Sequence, residues 1–186
     1  MKKIGVVHGR FQPLHKGHMD NYILLALEKC DFLIIGITNP DPTHSLPDES
    51  NLSRTRPQNN PLTYYERLNI ITAALYESGM NKEDFLIVPF PINFPQLLKF
   101  YVPKDATHYL TVFDEWGENK IKYLKNNGFK ARKLTNNKEK NISSTLVREK
   151  ILVNKPWKSL VYKSTQPYIE SYQLKNRLIK ITNQFL

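Results

Sequence analysis

The 186-residue sequence has only one cysteine, Cys30, so no disulfide can form within the chain. This is typical of proteins from a reducing compartment, and we expect a cytoplasmic location. Long hydrophobic runs are also missing. The longest, residues 32–37, is far shorter than the roughly 20 residues that a membrane-spanning helix needs. The apolar stretch after the first lysines ends at His8, which is too short for a signal peptide, so we expect neither a membrane span nor a leader.

Acidic side chains are scarce in the second half of the chain. The whole sequence has 27 Lys and Arg against 17 Asp and Glu, a net charge of +10, and residues 94–186 hold 18 of the basic and 7 of the acidic residues. Such a bias permits nucleic-acid binding, but no signature of a nucleic-acid-binding module is present. A basic surface that attracts anionic nucleotides explains the charge, and we do not expect nucleic acid as a partner.

Apolar, β-branched runs alternate with amphipathic segments, which predicts an α/β fold. We expect a Rossmann-like, doubly wound parallel sheet of about five strands within a single domain, residues 1–186. A C-terminal helical extension should span about residues 144–186 and end in one helix over residues 166–185. The strands are predicted near residues 3–8, 32–38, 85–89, 107–113 and 129–134.

Residues 39–61 are rich in proline and polar residues and are too long for a simple connection. We predict a mobile loop, which is either a surface insertion or a lid over a binding site. Arg54 and Arg56 favour the lid, because cations there could neutralise charge on a phosphate group. Of the two, Arg56 is our candidate for a phosphate contact.

The most informative segment is residues 9–18, Gly-Arg-Phe-Gln-Pro-Leu-His-Lys-Gly-His, between a strand-like run and an amphipathic helix. Gly9 has no side chain, so backbone amides can approach an anion at the carboxyl end of the strand. His15 and His18 are three residues apart at the start of the helix, so both imidazoles can lie on one face. We predict a site for a nucleoside triphosphate, lined by Gly9, Arg10, Phe11, Gln12, His15 and His18.

A metal site is the alternative interpretation of the two histidines. A structural zinc needs four protein ligands, and Cys30 lies twelve residues beyond His18. We therefore predict no protein-held metal.

A second segment, residues 142–148, places three hydroxyl residues before a helix and an arginine one turn later. Ser143, Ser144 and Thr145 can cap that helix while donating to phosphate oxygens. Arg148 has a planar fork suited to a polyphosphate. A run of this kind is often only a helix cap, but its pairing with the first segment favours a second phosphate clamp.

The two segments resemble the His-x-Gly-His and Ile-Ser-x-Thr-x-x-Arg motifs of the nucleotidyltransferase superfamily. The first is most similar to that of archaeal-type nicotinamide-nucleotide adenylyltransferases, as are residues 60–67 and 155–160. The resemblance implies transfer of AMP from ATP to nicotinamide mononucleotide, with release of pyrophosphate. It assigns catalytic roles to His15, His18, Arg10 and Arg148, and it implies Mg²⁺ carried by the triphosphate. It also allows a homo-oligomer.

Two departures from that family leave the acceptor open. The family has an aspartate, an asparagine and a tryptophan after the third strand, where this chain has Pro91, Pro95 and Leu98. Residues 112–119 loosely resemble a segment of cytidylyltransferases that act on glycerol phosphate. Two alternatives therefore stand: CTP or ATP with another phosphate or phosphonate acceptor, and a non-catalytic nucleotide or nucleic-acid binder. The candidate acceptor contacts are Asn93, Phe94, Leu98, Asp114 and Trp116, with Phe100 as a further aromatic.

Overall fold

The computed structural model describes residues 2–44, 56–112, 115–134 and 142–183. Residues 45–55 of the predicted loop lie outside the described residues, and so do Asp114 and the side chain of Trp116. The predictions for Arg54, Asp114 and Trp116 therefore remain predictions.

Five parallel strands form one sheet in the order β3-β2-β1-β4-β5, which confirms the predicted fold class. Apolar residues occupy the middle of β1 and β2 on both faces, as expected for parallel strands covered on both sides. Pro89 is tolerated in β3 because β3 is an edge strand of the sheet. The strands are β1 (Ile4–Gly9), β2 (Phe32–Thr38), β3 (Phe85–Phe90), β4 (Thr107–Thr111) and β5 (Lys130–Leu134).

The described helices are α1 (Lys16–His18), α2 (Leu24–Leu27), α3 (Tyr64–Glu77), α4 (Pro95–Leu98), α5 (Glu115–Asn126), α6 (Ser144–Leu152), α7 (Gln166–Ser171) and α8 (Leu174–Asn183). A π-helical turn, Met19–Ile23, joins α1 to α2, and short 3-10 turns cover Pro42–His44, Pro57–Asn59, Lys158–Leu160 and Lys163–Thr165. None of the helices in the described part of the chain has the length and apolar character to cross a membrane.

The prediction of one terminal helix over residues 166–185 is wrong. The chain forms α7 and α8 instead, because Gln173 adopts a left-handed conformation with φ of +50° that ends the first helix. Arg177 of α8 then bonds both carboxylate oxygens of Glu66, at 2.6 and 2.8 Å. Glu66 also caps α3 together with Thr63, so the C-terminal extension is fastened to the start of α3.

The helices cover both faces of the sheet, and each face has its own apolar core. One core contains Val7, Ile35 and Ile70 and continues into the C-terminal helices. The other contains Val6, Ile34 and Leu98 on the side of α4 and α5. The chain adds β2 and β3 on one side of β1 and then β4 and β5 on its other side, so the strand order reverses at β1. The crevice between the carboxyl ends of β1 and β4 is therefore the expected place for a ligand.

Candidate active site

The loop after β1 is shaped by packing between Gly9 and Phe11. Phe11 has φ of +51°, and its ring is 1% exposed. A Cβ atom at Gly9 would lie 2.9 Å from that ring, so the glycine makes room for Phe11. This is a different reason for glycine from the predicted backbone approach to an anion. Phe11 was predicted to bind the nucleotide, but its ring is engaged by the protein core and meets the His18 ring edge-on at 5.1 Å.

The two histidines lie together at the start of α1, as their spacing predicts. Their rings stack with centroids 3.7 Å apart and planes 24° apart. His15 caps the helix, since its Nδ1 accepts the backbone N–H of His18 at 3.3 Å. A Cβ atom at Gly17 would lie 3.1 Å from the His15 ring. The glycine inside the motif therefore allows the His15 ring to fold over the backbone.

The second motif is hydrogen-bonded directly to the first. The Ser144 hydroxyl donates to the backbone carbonyl of Pro13 at 2.9 Å. The Arg148 guanidinium donates to the carbonyl of Gln12 at 2.7 Å and to the hydroxyl of Thr145 at 3.3 Å. Ser143 caps α6 by accepting the N–H of Leu146. The amino end of α6 is thus held beside the segment that carries His15 and His18, here called the histidine loop. Unsatisfied N–H groups at that end of the helix favour anions.

Arg148 has a further partner in the segment after residue 55. Its guanidinium donates to the Asn59 side-chain carbonyl, and Asn59 ends the 3-10 turn that begins at Pro57. Arg56, the predicted phosphate contact, lies before this turn and is exposed. Sequence reasoning did not select Asn59, which the structure brings to Arg148.

Gln12 was predicted to bind the nucleotide, but the scaffold engages its side chain. Its amide nitrogen donates to the Leu62 carbonyl and its oxygen accepts the Leu62 N–H, both at 2.9 Å. The side chain is buried. Gln12 therefore fixes the loop to the start of the α3 region.

Sequence reasoning missed Arg67, which is buried in α3. A charged residue in an amphipathic helix is normally expected at the solvent face. Instead its guanidinium joins the loop after β1 to the carboxyl end of β2, donating at 2.7–3.1 Å to the backbone carbonyls of Arg10, Thr38, Asn39 and Thr63.

Three arginines give the site a concentrated positive charge. Burial, followed by repulsion from Arg10, lowers the pKa of Arg67 to about 10 and that of Arg148 to about 10. Burial also lowers the pKa of Arg10. Because Arg10 repels both of the other guanidiniums, an anion bound among them would be strongly favoured.

The predicted acceptor segment follows β3 and contacts the turn after β2. The Asn93 amide donates to the backbone carbonyl of His44 at 3.2 Å, and the Phe94 ring meets the His44 ring edge-on at 5.6 Å. The Nδ1 atom of His44 lies within hydrogen-bonding distance of the Asp41 carboxylate, at 2.8 Å. His44 was not selected from the sequence, although it lies in the polar segment flagged there.

The structure corrects the prediction for Leu98. It is 0% exposed and belongs to the core on the α4 and α5 side, so its predicted contact with an acceptor is wrong. Phe100 has the opposite environment: it is 71% exposed, with the Lys99 ammonium 5.1 Å from the ring centre.

A profile of the cytidylyltransferase-like family matches residues 6–150, which include both motifs. The chain belongs to the cytidylyltransferase-like family. The predicted superfamily is confirmed, and the protein is a nucleotidyltransferase.

Two relatives of this nucleotidyltransferase differ in their named substrates. The chain is 41% identical over 157 residues to phosphonoformate cytidylyltransferase from Streptomyces viridochromogenes, covering 84% of this chain and 85% of the relative. It is 32% identical over 176 residues to nicotinamide-nucleotide adenylyltransferase from Pyrococcus horikoshii, covering 94% and 86%.

Among solved structures, a bifunctional NMN adenylyltransferase/ADP ribose pyrophosphatase from Francisella tularensis has a TM-score of 0.68 at 22% identity, covering 97% of this chain. The complex of that protein with AMP and a manganese ion has a TM-score of 0.66 at 19% identity. The chain spans about half of the bifunctional protein's length. At this identity the likeness shows the shared fold.

Proposed function

We propose that the protein transfers a nucleoside monophosphate from a nucleoside triphosphate to a phosphate-bearing acceptor, with ATP and nicotinamide mononucleotide as the pair and NAD as the product. The observation that carries the proposal is the joining of the two motifs. Hydrogen bonds from Ser144 and Arg148 to the histidine loop hold the two motifs together. They place the amino end of α6 beside the stacked rings of His15 and His18. The result is one cluster of cationic and hydrogen-bonding side chains after the carboxyl end of β1.

The proposed reaction is a direct displacement. An oxygen of the acceptor phosphate attacks the α-phosphorus, and the bond from that phosphorus to the bridging oxygen breaks as pyrophosphate leaves with the electron pair. Catalysis of this kind depends on positioning and charge stabilisation, so no enzyme nucleophile is required. His15, His18 and Arg10 would stabilise the oxygens of the α-phosphate. The β- and γ-phosphates would lie at the amino end of α6, near Ser143, Thr145 and Arg148.

A divalent cation would accompany the triphosphate. Within residues 2–44, 56–112, 115–134 and 142–183, no three His, Cys, Asp or Glu side chains are grouped so that they could hold a metal ion. The charged and titratable side chains of the two motifs are histidine, lysine and arginine, which do not suit Mg²⁺. We therefore propose that Mg²⁺ arrives with the nucleotide.

A second candidate keeps the chemistry and changes both substrates to CTP and a small phosphonate. It is favoured by the 41% identity to phosphonoformate cytidylyltransferase. It is also favoured by the acceptor segment, where Pro91, Pro95 and the buried Leu98 stand at the three places that carry polar and aromatic contacts in the archaeal-type family. A small acceptor needs no aromatic surface on which to stack.

The test is a matrix of substrates. ATP, CTP, GTP and UTP are each combined with nicotinamide mononucleotide, nicotinate mononucleotide, phosphonoformate and inorganic phosphate, and pyrophosphate release is measured together with product mass. We expect the fastest release with ATP and nicotinamide mononucleotide and a product of the mass of NAD. The His18→Ala variant, prepared identically, controls for contaminating enzymes.

Each other outcome has a clear meaning. Reaction with CTP and phosphonoformate alone would replace the first candidate by the second. Absence of pyrophosphate with every pair would contradict both and favour a non-catalytic nucleotide binder.

We also propose a cytoplasmic location, which the single cysteine supports.

A further inference from the structure

Tyr22 lies in the π-helical turn that follows the histidine motif, and its hydroxyl contacts the backbone of two strands. The hydroxyl oxygen accepts the backbone N–H of His8 in β1 at 3.0 Å. The hydroxyl donates to the backbone carbonyl of Tyr109 in β4 at 2.9 Å, and the His8 carbonyl lies 3.3 Å away. One side chain therefore bridges the carboxyl ends of β1 and β4.

The bridge occupies the place of a ladder hydrogen bond. The Lys3 carbonyl accepts the N–H of Phe32, so the odd-numbered residues of β1 bond β2 and the even-numbered ones face β4. β1 pairs with β4 at Gly5 opposite Thr107 and Val6 opposite His108. In a parallel ladder that continued one step further, the His8 N–H would donate directly to the Tyr109 carbonyl.

The Tyr22 hydroxyl stands between these two groups. One N–H to carbonyl step is replaced by two steps of 3.0 and 2.9 Å, so the strands are held apart by the width of one oxygen. By contrast, β1 and β2 remain paired through Gly9 opposite Ile37. The separation falls at the switch point of the sheet, where open α/β folds bind their ligands.

The local helix geometry supports a specific role for this residue. The Leu24 N–H donates to the Met19 carbonyl, five residues earlier, which makes a turn one residue wider than an α-helical turn. Such wide turns occur frequently at functional sites. Burial raises the pKa of the Tyr22 phenol, so the hydroxyl stays protonated and remains a donor to Tyr109.

We propose that Tyr22 is a positioning residue whose hydroxyl holds β1 and β4 apart and so sets the width of the crevice that takes the nucleoside part of the triphosphate. This inference rests on the proposed function. His8 directly precedes Gly9, so any closure of β1 onto β4 also moves the loop that carries Arg10 and the histidines. Loss of the hydroxyl should therefore weaken nucleotide binding more than it slows turnover.

The test compares Tyr22→Phe with Tyr109→Phe. Tyr109 also has a hydroxyl that donates to a backbone carbonyl, that of Lys29 at 3.1 Å, but Lys29 precedes β2 at the amino edge of the sheet. We expect Tyr22→Phe to raise the Kd and KM for the triphosphate about tenfold with kcat within about threefold, and Tyr109→Phe to leave all three within about twofold. Calorimetry with ATP and with CTP, in the presence of Mg²⁺, supplies the Kd.

The outcomes separate this inference from the proposed function. If the wild-type protein binds ATP or CTP but releases no pyrophosphate, the proposed function fails while the Kd comparison still tests Tyr22. If Tyr22→Phe binds as tightly as the wild type, with only a lower Tm, Tyr22 is merely structural and the inference is overturned. Absence of triphosphate binding by the wild type would overturn both.

A measurement on the wild-type protein covers the case in which Tyr22→Phe does not fold. The amide resonances of His8 and Tyr109 should shift when Mg²⁺ and ATP or CTP are titrated in, whereas the Lys29 amide should not. Unchanged His8 and Tyr109 resonances at saturating nucleotide would overturn the inference.

Discussion

The proposed nucleotide region, residues 9–18 with 143–148, and the proposed acceptor region, residues 41–44 with 92–98, are held in place very differently. In the nucleotide region, Gln12, Ser144 and Arg148 direct their side chains to the backbone of another segment. In the acceptor region, the described link between the two segments consists of the hydrogen bond from Asn93 to His44 and an edge-on ring contact.

The difference separates reaction from substrate choice. A displacement at phosphorus needs groups fixed to within a fraction of an ångström, and cross-linking of two distant segments provides that rigidity. A surface that selects the acceptor can change without disturbing this frame. The two relatives act, by their names, on different acceptors while sharing residues with this chain over most of its length.

The largest expected effect breaks the nucleotide region itself. His18→Ala removes one of the two stacked imidazoles and should lower kcat by at least about 100-fold through lost stabilisation of the transition state. Steady-state pyrophosphate release checks it, and a thermal melt close to that of the wild type excludes unfolding as the cause. Near-normal turnover would remove His18 from the mechanism.

The next effect concerns a buried histidine of β4 that belongs to neither region. His108 is 0% exposed and packs against Phe90 and Phe129, and neither ring nitrogen has a hydrogen-bond partner among the described residues. Burial lowers its pKa from 6.5 to about 4. The unfolded chain therefore gains a proton below pH 6.5 that the folded chain resists until about pH 4, and this lowers stability as the pH falls through that window.

Between pH 7 and pH 4.5 the contribution of His108 amounts to roughly 2 kcal/mol of unfolding free energy. Urea denaturation at the two pH values measures it. His108→Phe keeps an aromatic ring and cannot titrate, so its stability should fall by about 2 kcal/mol less than that of the wild type over the same interval. An identical pH dependence in both proteins would refute this assignment.

A smaller effect tests how closely the nucleotide region is fitted. Gly17→Ala places a Cβ atom 3.1 Å from the His15 ring, so the imidazole must shift, and kcat should fall about tenfold. Gly79→Ala is the matched control. Gly79 has φ of +84° and open space around its Cα, so that variant should lose about 1 kcal/mol of stability and keep its kcat. Equal activity in the two variants would contradict the fitted geometry.

The smallest effect sharpens the comparison from the acceptor side. Asn93→Ala breaks the bond to His44 and should raise the KM for the acceptor about threefold to fivefold, with the KM for the triphosphate unchanged. Gln96→Ala, an exposed position in the same segment, should change neither. If Asn93→Ala raises only the KM for the triphosphate, the acceptor lies elsewhere.

Local features were predictable because they depend on neighbours in the chain. The β-branched runs predict five strands, and the spacing of His15 and His18 predicts that both rings lie on one face of α1. The break at Gln173 was missed because a left-handed conformation at a residue other than glycine leaves no mark in hydrophobic periodicity. Leu98 was misassigned because its place in a motif alignment gives no information about its burial.

By itself, the sequence determined the fold class, the family and the reaction type. The fold class follows from the alternation of apolar and amphipathic runs, and the family and the reaction type follow from the residue types in two short motifs. The tertiary structure alone decided which residues meet. Arg67 reaches the loop after β1, Asn59 reaches Arg148, and the Tyr22 hydroxyl enters the gap between β1 and β4. These contacts depend on strand order and on how α3 and the π-helical turn pack against the sheet. They could not be predicted because a hydrophobic pattern specifies which face of an element is buried and not which polar atom that face contacts.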